Sequence, residues 1–338
     1  MPTFKCAVIK EAGGKFEFEE REIPTPARGE VLLKVKACGV CHSDKFTVFN
    51  AYPGCSLPRV PGHEVIGTVE SVGEGVDWPP TGLLVGVGWH HDHCLFCEAC
   101  RRGDFMMCPK SRVSGIHADG GYAEYMIAPW TGIAELPQDI DPVAAAPLLC
   151  AGITVFNSMR NQENVGPGDL VAVQGIGGLG HLGIQFAKKM GFQVAAVSSS
   201  GSKKELAEKL GADHYIDTSV EPASAQLQKL GGAKLVLATA PNAKSMEDLV
   251  NALGSNGRLL IVGADADKFS LSPFQVIPNR GHVCGWPSGT GTDCTDCCNF
   301  AKNQGIASMN EVFPLDKAQE AYDYMMSGKA RFRVVLTP

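Results

Sequence analysis

Four cysteines fall within fifteen residues: Cys94, Cys97, Cys100 and Cys108, spaced C-x2-C-x2-C-x7-C. Four thiolates so close in sequence can complete a tetrahedral shell around zinc and pin a loop that has little core of its own. A filled shell leaves no open position, so such a site is structural. An iron–sulfur cluster is the rival reading for closely spaced cysteines. His90, His91 and His93 crowd the same stretch. With four sulfurs already available, they read as pocket or surface residues. A second, dispersed set, Cys41, His63 and Cys150, has another character. Two thiolates and one imidazole leave a fourth position for water or substrate, which is the composition of a catalytic zinc. Taken singly, each reads equally well as a buried core cysteine or a satisfied histidine, and spacing alone does not join them.

The next chemistry-bearing run is Gly175-Ile176-Gly177-Gly178-Leu179-Gly180, a GxGxxG between an apolar strand pattern and a helical one. The first glycine permits a tight turn. The second lets the backbone approach a pyrophosphate, and the third lets helix and strand pack closely. Phosphates then sit at a helix N-terminus, where free N–H groups point at them. A purely structural glycine turn is the alternative. An NAD site places a carboxylate about twenty residues further on, against the ribose hydroxyls. Here the stretch reads Val197-Ser198-Ser199-Ser200-Gly201-Ser202-Lys203-Lys204. Hydroxyls followed by lysines suit a 2′-phosphate, which a carboxylate would repel. The rival is that Lys203 and Lys204 merely open a solvated helix.

These residues need elements to hold them. Residues 1–75 read as short strands, Lys5–Ile9, Val31–Ala37 and Val65–Val72, separated by turns rich in proline and glycine. Near residue 150 the texture changes to alternation of strand and helix: strands at Leu170–Val173, Gln193–Val197, Leu235–Ala238 and Leu259–Val262, helices at Ile184–Met190, Lys203–Leu210 and Met246–Leu253. That order predicts a parallel sheet covered by helices on both faces. The last fifty residues predict a helix over Leu315–Met326 with Asp316 as its N-cap, then a closing strand over Arg331–Leu336. This tail is expected to fold back on the first domain.

Composition narrows the classes. The chain has 338 residues, 44% hydrophobic and 20% charged, with 30 basic and 36 acidic residues for a net charge of −6. That is ordinary for a soluble two-domain protein and gives no support to nucleic-acid or membrane-surface binding. No apolar run reaches membrane-span length and the start lacks a signal-peptide pattern, so a cytoplasmic location is expected. Thirteen cysteines, an odd and clustered set, argue against a disulfide scaffold. Cys284, Cys294, Cys297 and Cys298 read as scattered thiols rather than a third metal site.

At Gly39-Val40-Cys41-His42-Ser43-Asp44, Pro61-Gly62-His63-Glu64-Val65-Ile66-Gly67, the four-cysteine loop, Cys150-Ala151-Gly152-Ile153-Thr154 and the glycine motif, the chain resembles the zinc-containing alcohol dehydrogenases of the medium-chain superfamily. The resemblance covers essentially the whole length. It implies a two-domain α/β protein: a β-rich GroES-like catalytic domain over 1–149, a Rossmann cofactor domain with a doubly wound parallel sheet over 150–285, and a tail over 286–338 that completes the first. It implies two zinc ions per subunit. Cys41, His63 and Cys150 resemble the catalytic ligands, and Glu64 a carboxylate that approaches or replaces one of them. Asp44 resembles the partner that fixes the tautomer of the zinc histidine. Ser43 resembles the hydroxyl that relays the substrate proton, and His42 a pyrophosphate contact. Thr154, Gly175, Gly177, Gly178, Leu179, Gly180, Ser199, Ser200, Lys204, Gly263 and Arg333 fall on cofactor positions, Arg333 near the phosphates. One departure is Phe46, where many members carry the histidine that ends the proton relay. Phe46, Trp89 and His90 are expected at the substrate.

The expected function is reversible hydride transfer between NADP(H) and an alcohol/aldehyde pair, aromatic or medium aliphatic, in a homo-oligomer with four subunits rather than two. The alternatives are an NAD(H)-dependent primary alcohol dehydrogenase, a specialised biosynthetic carbonyl reductase, and a non-catalytic zinc- and nucleotide-binding interaction protein. The joint presence of Cys41, His63 and Cys150 disfavours this last reading, and also a zinc-free quinone reductase.

Overall fold

The computed structural model of the protein describes residues 2–263 and 267–338. The first 135 residues supply β1 (Thr3–Val8), β2 (Glu17–Glu22), β3 (Glu30–Val40), β4 (Val65–Val72), β5 (Leu84–Val87), β6 (His90–Asp92), β7 (Arg112–Val113), β8 (Tyr125–Pro129) and β9 (Ile133–Glu135). The middle supplies β10 (Leu170–Gln174), β11 (Gln193–Ser198), β12 (His214–Asp217), β13 (Ala233–Ala238), β14 (Leu253–Ile261) and β15 (His282–Gly285). The tail adds β16 (Asn310–Pro314) and β17 (Arg333–Thr337). The chain divides into two compact units, Met1–Ile153 with Ser288–Pro338, and Thr154–Pro287.

In the first unit a seven-stranded sheet runs β16-β17-β3-β4-β5-β9, with β8 also paired to β3. β17 is antiparallel to β3, and so is β4. Antiparallel strands face in alternation, and β3 buries Val31, Leu33 and Val35 in a core shared with Val65, Val69, Val85 and Val334. This arrangement decides where the chemistry falls. The end of β3, the start of β4 and the start of β17 share one end of the sheet, since Cys38 registers with Val65 and Val40 with Val334. Cys41 follows β3, His63 and Glu64 precede β4, and Arg333 opens β17.

The second unit is a six-stranded sheet in the order β12-β11-β10-β13-β14-β15, parallel throughout. In the strands' own order of appearance this is 3-2-1-4-5-6, the doubly wound arrangement that binds ligands where the order reverses, between β10 and β13. Its strands are nearly continuous apolar runs. Leu170–Gln174 is buried at every position, as covered faces require.

Several boundaries differ from the sequence expectations. The helix expected over Met246–Leu253 runs Ala243–Val250, capped by the Asn242 side chain, and Leu253 opens β14 instead. Asp316 is not an N-cap: it lies inside a 3₁₀ turn, Leu315–Lys317, that precedes the helix Ala318–Met326. A 14-residue helix, Gly291–Gln304, occupies a stretch that reads as irregular. Its cysteines are its apolar face, with Cys294, Cys297 and Cys298 buried. No single described helix is long and apolar enough to cross a membrane.

Candidate active site and cofactor cavity

Sheet topology brings one ligand atom from each of Cys41, His63, Glu64 and Cys150 within 4.8 Å of the others. Cys150 arrives from a different direction, at the end of a 3₁₀ turn over Ala146–Leu149. The sulfurs of Cys41 and Cys150 are 3.9 Å apart. A disulfide would need about 2.05 Å. Two sulfurs on one tetrahedral zinc, each at about 2.3 Å, stand about 3.8 Å apart. Buried polar atoms without partners are the second sign. Both His63 Nε2 and Glu64 Oε2 are buried with no hydrogen bond. Such atoms are costly unless something binds them. The donor set fits a zinc ion.

The support around this set is dense. Asp44, 1% exposed, accepts from His63 Nδ1 at 3.1 Å. Its other oxygen accepts the backbone N–H of Cys41 and the hydroxyl of Tyr122, each at 2.8 Å. One carboxylate thus orients two of the candidate ligands, and the proton it holds on Nδ1 leaves Nε2 as the lone-pair nitrogen. Hydrogen bonding from Cys150 holds the Cys41 thiol well below its ordinary range, with His63 helping against burial. The same contact, reinforced by burial, pushes Cys150 well above it. Burial pushes Glu64 up to about 7, against the lowering effect of Arg333. Arg333 Nη2 donates to Glu64 Oε1.

Aromatic rings flank the ligands. Trp89 meets the His63 ring edge-on at 4.9 Å. Tyr52 packs against Phe46 at 5.6 Å, Trp89 at 5.9 Å and His117 at 5.7 Å. His90, the neighbour of Trp89, faces elsewhere: its Nε2 lies 3.0 Å from His93 Nδ1, and His93 stacks on Phe105. Neighbouring residues of extended chain point to opposite sides, so only one of this pair could join the aromatic group. Ser43 is half-buried, and exposed His42 lies 3.1 Å from Lys45 Nζ.

The four remaining motif cysteines converge separately. Ligand atoms of Cys94, Cys97, Cys100 and Cys108 lie within 4.8 Å of one another, with Cys94 and Cys100 sulfurs 4.0 Å apart. Backbone N–H groups of Cys97 and Cys100 donate to the sulfurs of Cys94 and Cys97 at 3.4 and 3.5 Å. Backbone N–H groups of Phe96 and Cys97 draw the Cys94 thiol down to about 6. Leu95, Phe96 and Met107 of this loop are exposed, so it has little apolar packing to hold its shape. A closed four-sulfur zinc would supply what the packing lacks.

In the second unit a cavity of about 690 Å³ opens beside the glycine loop, lined by Gly175, Ile176, Gly177, Ser198, Ser199, Lys203, Asn242 and neighbours. The glycines divide by role. A Cβ on Gly180 would sit 1.7 Å from the Gly175 carbonyl oxygen, so close packing forbids one. A Cβ on Gly177 would meet no protein atom within 4 Å. Protein packing does not demand a glycine there, whereas approach of a ligand to the backbone would. Leu179 caps the helix Gly180–Lys189, whose N-terminus faces this loop. Gly263 abuts the Thr239 carbonyl, and Thr154 lies in the helix Ala151–Arg160. Ser199 lines the cavity, whereas the Ser200 hydroxyl bonds Ser202 at 2.9 Å. Lys203, rather than Lys204, lines the wall, and its Nζ donates to the Ile176 carbonyl at 2.7 Å. Lys204 is exposed at the start of its helix. His181, fully buried, places Nδ1 3.0 Å from the Gly177 carbonyl, and Thr239 Oγ1 donates to Gln174 O at 2.8 Å. His181, Thr239, Tyr52 and Tyr122 carry no sequence signal of their own. Only tertiary pairing singles them out.

Residues 27–138 match the alcohol dehydrogenase GroES-like domain, and residues 178–303 match the zinc-binding dehydrogenases. Alcohol dehydrogenase patD of Penicillium expansum is 46% identical over 335 residues, covering 99% of this chain and 98% of the relative. The chain belongs to the zinc-containing alcohol dehydrogenase family. Solved structures of this family superpose closely. An NAD-dependent alcohol dehydrogenase gives a TM-score of 0.91 at 26% identity, covering 99% of each chain. CAD from Helicobacter pylori, complexed with NADP(H), gives 0.87 at 26% identity, covering 99% of this chain and 98% of that one. Both cofactors therefore occur on this fold, and the alcohol dehydrogenase backbone alone does not choose between them.

Proposed function

We propose that this zinc-type alcohol dehydrogenase or aldehyde reductase prefers NADP(H) and acts on aromatic or medium aliphatic aldehyde/alcohol pairs. The observation that carries the cofactor preference is the wall made by Ser198, Ser199 and Lys203 at the end of β11, where an NAD site presents a carboxylate. Asp248 lines the same cavity, but its carboxylate is engaged by Ser224. Hydroxyls and an ammonium give charge-assisted hydrogen bonds to a 2′-phosphate. A nicotinamide cofactor, when bound, supplies the hydride chemistry, and zinc supplies Lewis acidity toward a carbonyl or alcohol oxygen.

The chain's own residues do the rest. Cys41, His63 and Cys150 would hold the zinc, with Glu64 near enough to exchange with a ligand. Asp44 holds His63 in the tautomer that leaves Nε2 free. Ser43, half-buried next to Asp44, is the hydroxyl proposed to pass the substrate proton; Phe46 cannot extend that relay, so the proton continues to solvent by another route. Phe46, Tyr52 and Trp89 supply flat apolar surface suited to a ring or short alkyl chain. Cys94, Cys97, Cys100 and Cys108 would hold a second, structural zinc. A homo-oligomer of four chains rather than two belongs to the same proposal and rests on family resemblance; sedimentation equilibrium counts the subunits.

The test is a comparison of kcat/KM for NADPH and NADH with benzaldehyde and hexanal as acceptors, which reports transition-state stabilisation directly. Strong preference for NADPH is expected. Equal or better use of NADH would return the assignment to an NAD-dependent alcohol dehydrogenase.

A further inference from the structure

We infer that Tyr122 is a positioning residue for the catalytic metal site, acting through Asp44 on His63 and Cys41; the inference rests on the reading of Cys41, His63 and Cys150 as zinc ligands. Tyr122 is fully buried, and its hydroxyl donates to Asp44 Oδ2 at 2.8 Å. That oxygen also accepts the Cys41 backbone N–H at 2.8 Å, while Oδ1 faces His63 Nδ1 at 3.1 Å. Three donors from three separate stretches of chain thus fix one carboxylate. Two of them belong to ligand residues, and Tyr122 is the third. Without it, Asp44 keeps its ligand contacts but loses the anchor that stops it from rotating about its own side-chain bonds.

The anchor is itself rigid. The backbone N–H of Tyr122 donates to the Pro61 carbonyl at 3.0 Å, and the Ala7 N–H donates to the Tyr122 carbonyl at 2.8 Å. Pro61 lies two residues before His63, so the segment that carries the phenol, just ahead of β8, also holds the loop that carries the ligand. The ring packs on Phe16 at 5.6 Å. Phe16 packs equally, at 5.6 Å, on Tyr322, a second buried phenol whose hydroxyl has no hydrogen-bond partner among the described residues. The two tyrosines share one aromatic cluster, and of the two only Tyr122 hydrogen-bonds Asp44.

That contrast makes the experiment. Tyr122→Phe and Tyr322→Phe each remove one buried hydroxyl from the same cluster while keeping ring and volume. Zinc release from the purified full-length protein into a chromophoric chelator is followed for both variants and the parent, with thermal unfolding as a check on folding. Partners of metal ligands shift metal affinity by about 10- to 100-fold, and a residue one bond further out belongs at the low end. Tyr122→Phe is expected to release one zinc equivalent roughly tenfold faster, with the four-cysteine zinc unchanged as internal reference. Tyr322→Phe is expected to match the parent. Parent-like release from Tyr122→Phe would overturn the inference, as would equal acceleration of both zincs or of both variants. A parent protein that releases only the four-cysteine zinc would overturn the reading of the Cys41–His63–Cys150 site, and this inference with it.

Discussion

Replacing Lys203 by alanine tests the cofactor proposal at a single charge. Lys203 Nζ now donates to the Ile176 carbonyl at 2.7 Å, on the wall of the cavity beside Ser199. A bound 2′-phosphate would draw it away from a neutral acceptor to a charged one. A hydrogen bond to a charged group contributes about 1.5–3 kcal/mol, and the carbonyl bond given up was worth about 1 kcal/mol. The net preference is then about 0.5–2 kcal/mol, which is about 2- to 30-fold in kcat/KM. Lys203→Ala is expected to lower kcat/KM for NADPH by that factor and leave NADH within about twofold, because NADH offers no phosphate. The assay is the initial rate of absorbance loss at saturating aldehyde with each cofactor in turn. The reasoning is refuted if both cofactors lose equally. Such a result would mean that Lys203 holds the glycine loop through Ile176 and does nothing for the phosphate.

Other expectations follow from single contacts. Gly180→Ala forces a methyl to 1.7 Å from the Gly175 carbonyl and is expected to cost at least about 3 kcal/mol in urea unfolding, near the top of the range for overpacking. Gly177→Ala faces open space and is expected to leave stability within about 0.5 kcal/mol while raising KM for the cofactor, a split that a shared structural role would not give. Burial, then His93, pushes His90 down to about 4 from an ordinary 6.5, so between those values the unfolded chain binds the extra proton and stability falls as pH falls. The full window amounts to about 3 kcal/mol, and unfolding free energies between pH 7 and pH 5 should show the decline, shallower in His90→Gln. Cys108→Ser breaks the four-sulfur set, so elemental analysis should find one zinc fewer and the melting temperature should drop.

Much of this protein is written locally. The GxGxxG run, flanked by apolar strand and amphipathic helix, specifies its own turn, and the four-cysteine loop its own ligand cluster, because both act over fifteen residues or fewer. Strand β4 coincides with the expected Val65–Val72 because alternation and flanking prolines agree there. The dispersed ligands are different. Cys41, His63 and Cys150 come together only through the pairing of β3 with β4 and a turn more than eighty residues later, so no window of sequence contains them and resemblance had to join them. The helix Gly291–Gln304 is faint in the sequence because cysteines make most of its buried face, and they carry a weak periodic signal between polar neighbours. Lys203 and Lys204 are equivalent as letters. Only the end of a 3₁₀ turn at Lys203 decides which ammonium faces the cavity.

The return of the tail to the first unit has a consequence for synthesis. β17 lies between β16 and β3, and its first residue, Arg333, pairs with Glu64, 269 positions earlier in the chain. A polypeptide leaving the ribosome has every strand of its second unit in hand by Gly285, before β16 and β17 emerge. Domains fold as units during translation, so the middle of this protein completes first. The first unit must wait, with the Cys38–Val40 end of β3 uncovered on one side, until β17 emerges. A chain cut before β17 would therefore leave a finished parallel-sheet unit joined to an open sheet edge, the kind of edge that invites pairing with another chain.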